Sequence, residues 1–382
     1  MSGISRRDFV RSSSMLALGA AGLPAWAEIW PRRAGKGRLL LVGTGTSAPS
    51  TSKGIYAYGF DPATGELKQI GLAVEAQNPT FFAVAPHEKF VYSVNEGRSA
   101  TVSSFAFDRK NAKMSLINQS ATKGGGPTHI AVDHTGRSVF AANYGGGSVV
   151  SFQAGPDGHL SEAVSFFQYP PAGEKKRSHA HRVTPSPDNR FLLVNDLGLD
   201  VIHIYRLDAA TARLTPHDPP VWHAKPGYGP RALVFHPNGK WAYCVNELKP
   251  TVNVLEWDKT KGTLTTIQDI ALVPDGYQGL SAPADIVFDK KMRFAYVPSR
   301  LDDFMATFTV SPQTGKLTFL EKTSCGGKRP RHLALDPSDR WLLVANQDTN
   351  NISVFPRDKK TGKLSYTGKD FPLDRPECLI FV

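Results

Sequence analysis

A chain of 382 residues with 41% apolar and 21% charged residues has the make-up of a folded globular protein, which excludes a disordered one. It is long enough to bury one large core or two ordinary ones. The net charge of +11 admits nucleic acid, an anionic membrane or an anionic small substrate, but no basic run exceeds Glu174-Lys175-Lys176-Arg177, which disfavours nucleic acid.

Residues 1–27 read as an address rather than as structure. Ser5-Arg6-Arg7-Asp8-Phe9-Val10-Arg11 resembles a twin-arginine export signal. Met15 to Leu23 is an apolar stretch too short to span a bilayer as a mature helix. Ala25-Trp26-Ala27 is an A-x-A cleavage site, so the mature chain is expected to start at Glu28, in the periplasm or outside the cell. The twin-arginine translocation machinery is the partner this implies. Removing the segment takes away three Arg and one Asp and leaves a mature charge of +9. Residues 28–36 read as a linker and 37–382 as one domain.

The three cysteines, Cys244, Cys325 and Cys378, are too few and too widely spaced for a disulfide framework or a zinc site. Cys244 lies in a strand run and is expected as a buried free thiol. A Cys325–Cys378 disulfide stays open, since sequence sets no Cβ distances.

From residue 37 onward one grammar repeats: apolar run, turn, apolar run, polar stop. Its clearest copy is Gly229 to Leu248, with a turn at His236-Pro237-Asn238-Gly239. Centring the hairpin on Asn238-Gly239 puts Arg231 opposite Asn246. The Asn246 position recurs at Gly43, Asn95, Asn143, Asp196, Ser299 and Asn346, in steps of 52, 48, 53, 50, 53 and 47 residues. A second hairpin follows in each unit, as at Asp258-Lys259-Thr260-Lys261-Gly262-Thr263-Leu264 and Thr314-Gly315-Lys316-Leu317. Four strands per unit at a period near 50 predict an all-β, seven-bladed β-propeller. The first unit lacks its innermost strand. Arg375 to Val382 matches the start of Arg329-Pro330-Arg331-His332-Leu333-Ala334-Leu335, so the C-terminal strand is predicted to close the first blade.

In each blade the entry to the innermost strand and the exit of the second share one mouth of the central channel. The entry positions are Thr80, Thr128, His181, Arg231, Ala284, Arg331 and Glu377. The exit positions are Thr44, Glu96, Tyr144, Leu197, Glu247, Arg300 and Gln347. Both charge signs and a histidine therefore meet at one opening. Wet channels tolerate polar linings, but such clusters are also where functional pKa shifts concentrate.

The stretches Gly126-Pro127-Thr128-His129 with Ala141-Ala142-Asn143-Tyr144, His179-Ala180-His181 with Asp196-Leu197-Gly198, Gly229-Pro230-Arg231 with Asn246-Glu247-Leu248, and Pro330-Arg331-His332 with Ala345-Asn346-Gln347 carry a resemblance. The chain resembles the bacterial 6-phosphogluconolactonase and carboxymuconate-cyclising family of seven-bladed propellers across residues 37–382. The resemblance implies that His181, Arg231, Glu247 and Arg300 carry the chemistry. Arg331, Glu96, Asn143, Tyr144, His179 and Asp196 are expected to line the substrate. The chain departs from the family pattern at Pro298-Ser299-Arg300-Leu301-Asp302 and at Arg182, both beside the mouth.

Lactone hydrolysis needs a base for water, a stabiliser for the acyl oxyanion and an acid for the leaving alkoxide. His181 is the base candidate, because of the mouth residues it alone titrates near neutrality. The hairpin register puts Asp196 opposite it, where it could orient the ring. Arg231 and Arg300 suit an anion or oxyanion, or serve as ion-pair partners of Glu247 and Glu96. His179 and His181 lack a carboxylate at ligand spacing, no dinucleotide fingerprint or nucleophile elbow occurs, and neither metal nor cofactor is expected. Three functions follow: an exported hydrolase of a sugar lactone or other anionic lactone, a carboxymuconate-type cycloisomerase, or a non-enzymatic periplasmic binding scaffold.

Overall fold

The computed structural model describes residues 38–382 except 175, 274–276 and 278. The export signal, its cleavage site and the linker lie outside the described residues. Seven antiparallel sheets of four strands follow one another along the chain. Blade one consists of Arg38–Thr44, Gly54–Phe60 and Leu67–Glu75, with the C-terminal Pro376–Phe381 as its innermost strand. Leu40 pairs with Phe381 and Gly43 with Cys378, so the two ends of the chain close the ring together. No helix among the described residues is long and apolar enough to cross a membrane.

The core is divided as a propeller requires. Seven apolar clusters each join two neighbouring blades. The cluster of Leu40, Val42 and Tyr58 with Leu343, Val354 and Leu379 joins the first blade to the last. The recurrent Gly of the outer hairpins has a packing cause. Gly262 and Gly315 have φ of 68° and 70°, and a Cβ there would meet Phe191 and Trp241 at 2.5 and 2.4 Å. Each turn is thus stacked on the large aromatic that opens the second strand of the preceding blade.

The recurrent polar stop is also structural. Asn246 Nδ2 donates to Thr251 Oγ1 at 2.9 Å and Asn253 Oδ1 at 2.6 Å. Asn143 donates to Ser148 Oγ at 2.9 Å, and Asn346 to Ser353 Oγ at 2.9 Å. These amides tie the second strand to the third in blades three, five and seven. Asn143 is fully buried there, which corrects its expected place at the substrate mouth.

The cysteines are free and buried, as expected for Cys244 and against a Cys325–Cys378 bridge. Cys325 packs between blades six and seven and Cys378 between blades one and two, so the ring itself separates them.

Candidate functional site

The inner hairpins hold their predicted register only up to the mouth. In blade five Phe235 pairs with Ala242 and Ala232 with Val245, as a turn centred on Asn238-Gly239 requires. Then the register slips: Pro230, not Arg231, lies opposite Asn246. Arg231 is the extra residue of a β-bulge. Blade four repeats this, with Ala180 opposite Asp196, Arg182 opposite Asn195, and His181 in the bulge. Thr128, Arg331 and Glu377 occupy the same position in their blades. A bulge re-aims side chains and lets two successive residues face one side. Accordingly His181 and Arg182, Thr128 and His129, and Arg331 and His332 all line one cavity on the axis.

Arg231, Arg331 and Glu377 of that lining belong to ion pairs that extend beyond it. Arg231 Nε and Arg300 Nη2 lie 2.8 and 2.7 Å from Glu247 Oε2. Two guanidiniums thus share one carboxylate. Burial would raise the Glu247 carboxyl, but Arg231 and Arg300 outweigh it and hold it below its ordinary value. Burial and the neighbouring Arg300 pull Arg231 down to about 9, still a cation at neutral pH. On the other wall Arg331 Nε meets Glu377 Oε2 at 3.0 Å, and Gln347 Nε2 donates to Glu377 Oε1 at 2.9 Å. Burial pushes Glu377 upward, Glu96 adds to this, and Arg331 opposes it. Glu96 accepts from Thr80 Oγ1, so Arg231 and Arg300 both pair with Glu247 and neither with Glu96.

His181 stands between these groups. Burial, then Arg231, Arg331 and Arg300, push its pKa well below the ordinary histidine value, so the ring is neutral at neutral pH. Tyr144 meets it edge-on at 5.7 Å and stacks on His179 at 4.5 Å. His179 precedes the strand, with its Nδ1 3.1 Å from the Tyr144 carbonyl oxygen.

Asp196 does not orient His181. It is fully buried and accepts from Ser178 Oγ and from the amides of His179, Gly198 and Leu199, with His203 Nε2 at 3.3 Å. The bulge is the reason: it turns His181 inward and leaves Asp196 facing the blade interior. No hydrogen bond from another described residue holds the His181 ring. Leu197 and Ala284, two further mouth positions, are buried and apolar.

Beneath lies a floor that strand alternation did not forecast. Arg182 Nη1 reaches Asp285 Oδ1 at 2.6 Å, from blade four to blade six, and His332 Nε2 lies 3.4 Å from Asp285 Oδ2. Burial would raise Asp285, but Arg182 and His332 hold it below its ordinary value. Burial brings His332 down to about 4. The Val183 amide lies 3.4 Å from His129 Nδ1, whereas buried His129 Nε2 has no partner among the described residues. The sequence signal was available: each floor residue directly follows an entry position.

The family model described as "Lactonase, 7-bladed beta-propeller" matches residues 39–381. The chain belongs to the seven-bladed propeller lactonase family. Among curated relatives of this lactonase-family chain, a 6-phosphogluconolactonase of Bacillus subtilis is 31% identical over 343 residues, covering 88% of this chain and 97% of the relative. A 6-phosphogluconolactonase of Formosa agariphila is 31% identical over 324 residues, covering 81% and 90%. Among solved structures, a periplasmic gluconolactonase of Pseudomonas aeruginosa superposes with a TM-score of 0.85 at 33% identity, covering 91% of this chain and 99% of that one.

Proposed function

We propose that this chain is an exported lactonase that opens an anionic lactone with His181 as its base. The observation that carries this reading is a neutral, internally unpartnered His181 beside two guanidiniums that share one carboxylate. His181 takes a proton from water as the oxygen attacks the lactone carbonyl. Arg231 and Arg300 face the oxyanion that forms, in a site where burial strengthens the interaction. The tetrahedral adduct then collapses, the ring C–O bond breaks, and the leaving alkoxide takes the proton back from His181. Water is added across the ester and no other reactant is consumed.

Glu247, held ionised, fixes the two guanidiniums and does not serve as the acid. Arg331 with Glu377 forms the opposite wall, and Tyr144 with His179 the rim beside the base. The fold relationship to a periplasmic gluconolactonase and the Arg6-Arg7 and Ala25-Trp26-Ala27 motifs support export. The test is a hydrolysis screen of the mature protein against phosphorylated, carboxylated and neutral lactones. The reading expects turnover of an anionic lactone, and no turnover of any would refute it. Mass spectrometry of the exported form should find Glu28 as the first residue.

A further inference from the structure

One backbone contact recurs at the mouth. The amide of the exit residue donates to the carbonyl two positions before the entry residue, as Glu247 does to Gly229 at 2.8 Å and Gln347 to Arg329 at 3.1 Å. What holds the amide of that same residue varies from blade to blade. For the three charged entry residues, Arg231, Arg331 and Glu377, it is an Asp or Asn side chain of the preceding blade. The Gly229 amide donates to Asp200 Oδ1 at 2.9 Å, the Arg329 amide to Asp303 Oδ1 at 2.6 Å, and the Arg375 amide to Asn350 Oδ1 at 3.0 Å. In blades four and six the acceptor belongs to the blade itself, Asp196 for His179 and Ser299 for Ala282.

Asp200 is the most elaborate of these anchors. It is buried at the turn between the second and third strands of blade four, with φ of 60°. Besides Gly229, its Oδ2 accepts from the Gly227 amide at 2.9 Å and from Lys176 Nζ at 2.8 Å. Its backbone carbonyl accepts from the Ala224 amide at 2.9 Å. The whole link from the outermost strand of blade four, which ends at His223, to the innermost strand of blade five, which starts at Pro230, is therefore wound on one residue. Gly229 passes that anchorage on in two directions. Its carbonyl holds the Glu247 amide, and one residue after it the chain enters the bulge that carries Arg231. The two side chains so placed meet at 2.8 Å.

We propose that Asp200 is a positioning residue, which sets the Arg231–Glu247 pair of blade five from the blade before it. The role in catalysis rests on the reading of Arg231 as an oxyanion partner. A bulge interrupts the ladder at the very point where Arg231 leaves it, so the sheet alone does not fix that residue. A carboxylate that accepts two amides supplies the missing fixed point, through hydrogen bonds about twice as strong as neutral ones. Lys176 is half exposed and adds little to this. Asp303 stands in the same relation to Arg331 and Gln347.

Two substitutions separate positioning from mere stability. Asp200→Gly removes the carboxylate yet adopts a φ of 60° without strain. Asp200→Asn keeps an oxygen for the Gly229 amide and gives up the acceptor of Gly227 and Lys176. On the best lactone, Asp200→Gly should lower kcat by roughly ten- to a hundredfold with KM within about twofold, because the displaced Arg231 acts only in the transition state. Asp200→Asn should restore most of that loss, and Lys176→Met should change neither constant. Crystal structures of the parent protein and of Asp200→Gly should show the 2.8 Å contact between Arg231 and Glu247 opened in the variant. Should the glycine variant not fold, Asp200→Ser, whose hydroxyl is too short to hold both amides, takes its place with the same expectations. An unchanged kcat, an asparagine variant as impaired as the glycine one, or an Arg231–Glu247 contact retained in the variant crystal would overturn the proposal. If the parent protein turns over no lactone, the lactonase reading falls, and the crystal contact alone upholds or overturns the positioning role.

Discussion

Leu379→Ala and removal of residues 376–382 test how far ring closure carries the molecule. Leu379 is buried, and it packs in the cluster that joins the last blade to the first. Cys378 and Val382 are buried beside blade two, and Phe381 meets Phe60 edge-on at 5.2 Å. A buried aliphatic or aromatic side chain contributes about 1.5–3 kcal/mol, so the five apolar residues from Cys378 to Val382 together supply roughly 8 kcal/mol. That is comparable to the whole stability of a typical domain, about 5–15 kcal/mol. Truncation also leaves the amides and carbonyls of Leu40–Thr44 without their partner strand. The truncated chain should therefore fail to give a cooperative thermal transition by near-ultraviolet circular dichroism. Leu379→Ala should fold but lose about 2–5 kcal/mol in urea titration. It should keep its activity, because the residue faces the core. A truncated protein that melts at the temperature of the full chain would refute the closure argument.

His181→Ala should lower kcat on the best lactone by roughly 10²–10⁴-fold with unchanged circular dichroism, and near-normal kcat/KM would remove His181 from the mechanism. The pH profile follows from the direction of the His181 shift. The imidazolium cannot accept a proton from water, so kcat/KM should fall as pH drops, along a limb lying below the ordinary histidine value of about 6.5. A limb at or above that value, read from initial rates across pH, would contradict the burial and arginine argument. Glu247→Gln leaves Arg231 and Arg300 facing each other without their shared carboxylate. It should cost roughly 3–5 kcal/mol in urea titration. An anionic ligand should recover more stability in this variant than in the parent protein. An unchanged denaturation midpoint would show that the pair of contacts contributes little.

The blade count, the closure by the last strand and the cast of the mouth were legible because each depends on a pattern that repeats every 47 to 53 residues. Gly262 and Gly315 announced hairpins because only glycine fits beneath an aromatic at positive φ. What sequence alone could not supply was the bulge. Counting outward from Asn238-Gly239 places Arg231 against Asn246, and nothing in the residue types reveals that the ladder slips one step before it gets there. The same slip misplaced Asp196 relative to His181 and hid Asp285, His332 and His129 as channel residues. Asn143 misled for another reason. An asparagine beside a cluster of charges resembles a ligand, yet its amide is spent inside the blade on Ser148.

The bulge also explains where the charge ends up. Strict alternation would turn every second residue of an inner strand to the axis. With the bulge, two in succession face it, so the channel acquires a charged layer above a floor. The floor is balanced within itself: Arg182 answers Asp285, and His332 and His129 are held neutral by burial. It therefore contributes little net field to the layer above. On the opposite wall Arg331 faces two carboxylates, Glu377 in contact and Glu96 further off, so the excess there is negative. Where Arg231 and Arg300 converge on Glu247 the excess is positive, so the three guanidiniums and three carboxylates leave the layer that contains His181 polarised across the axis rather than net charged. In the proposed reaction that polarity would put the developing oxyanion on the Arg231 and Arg300 side, next to His181.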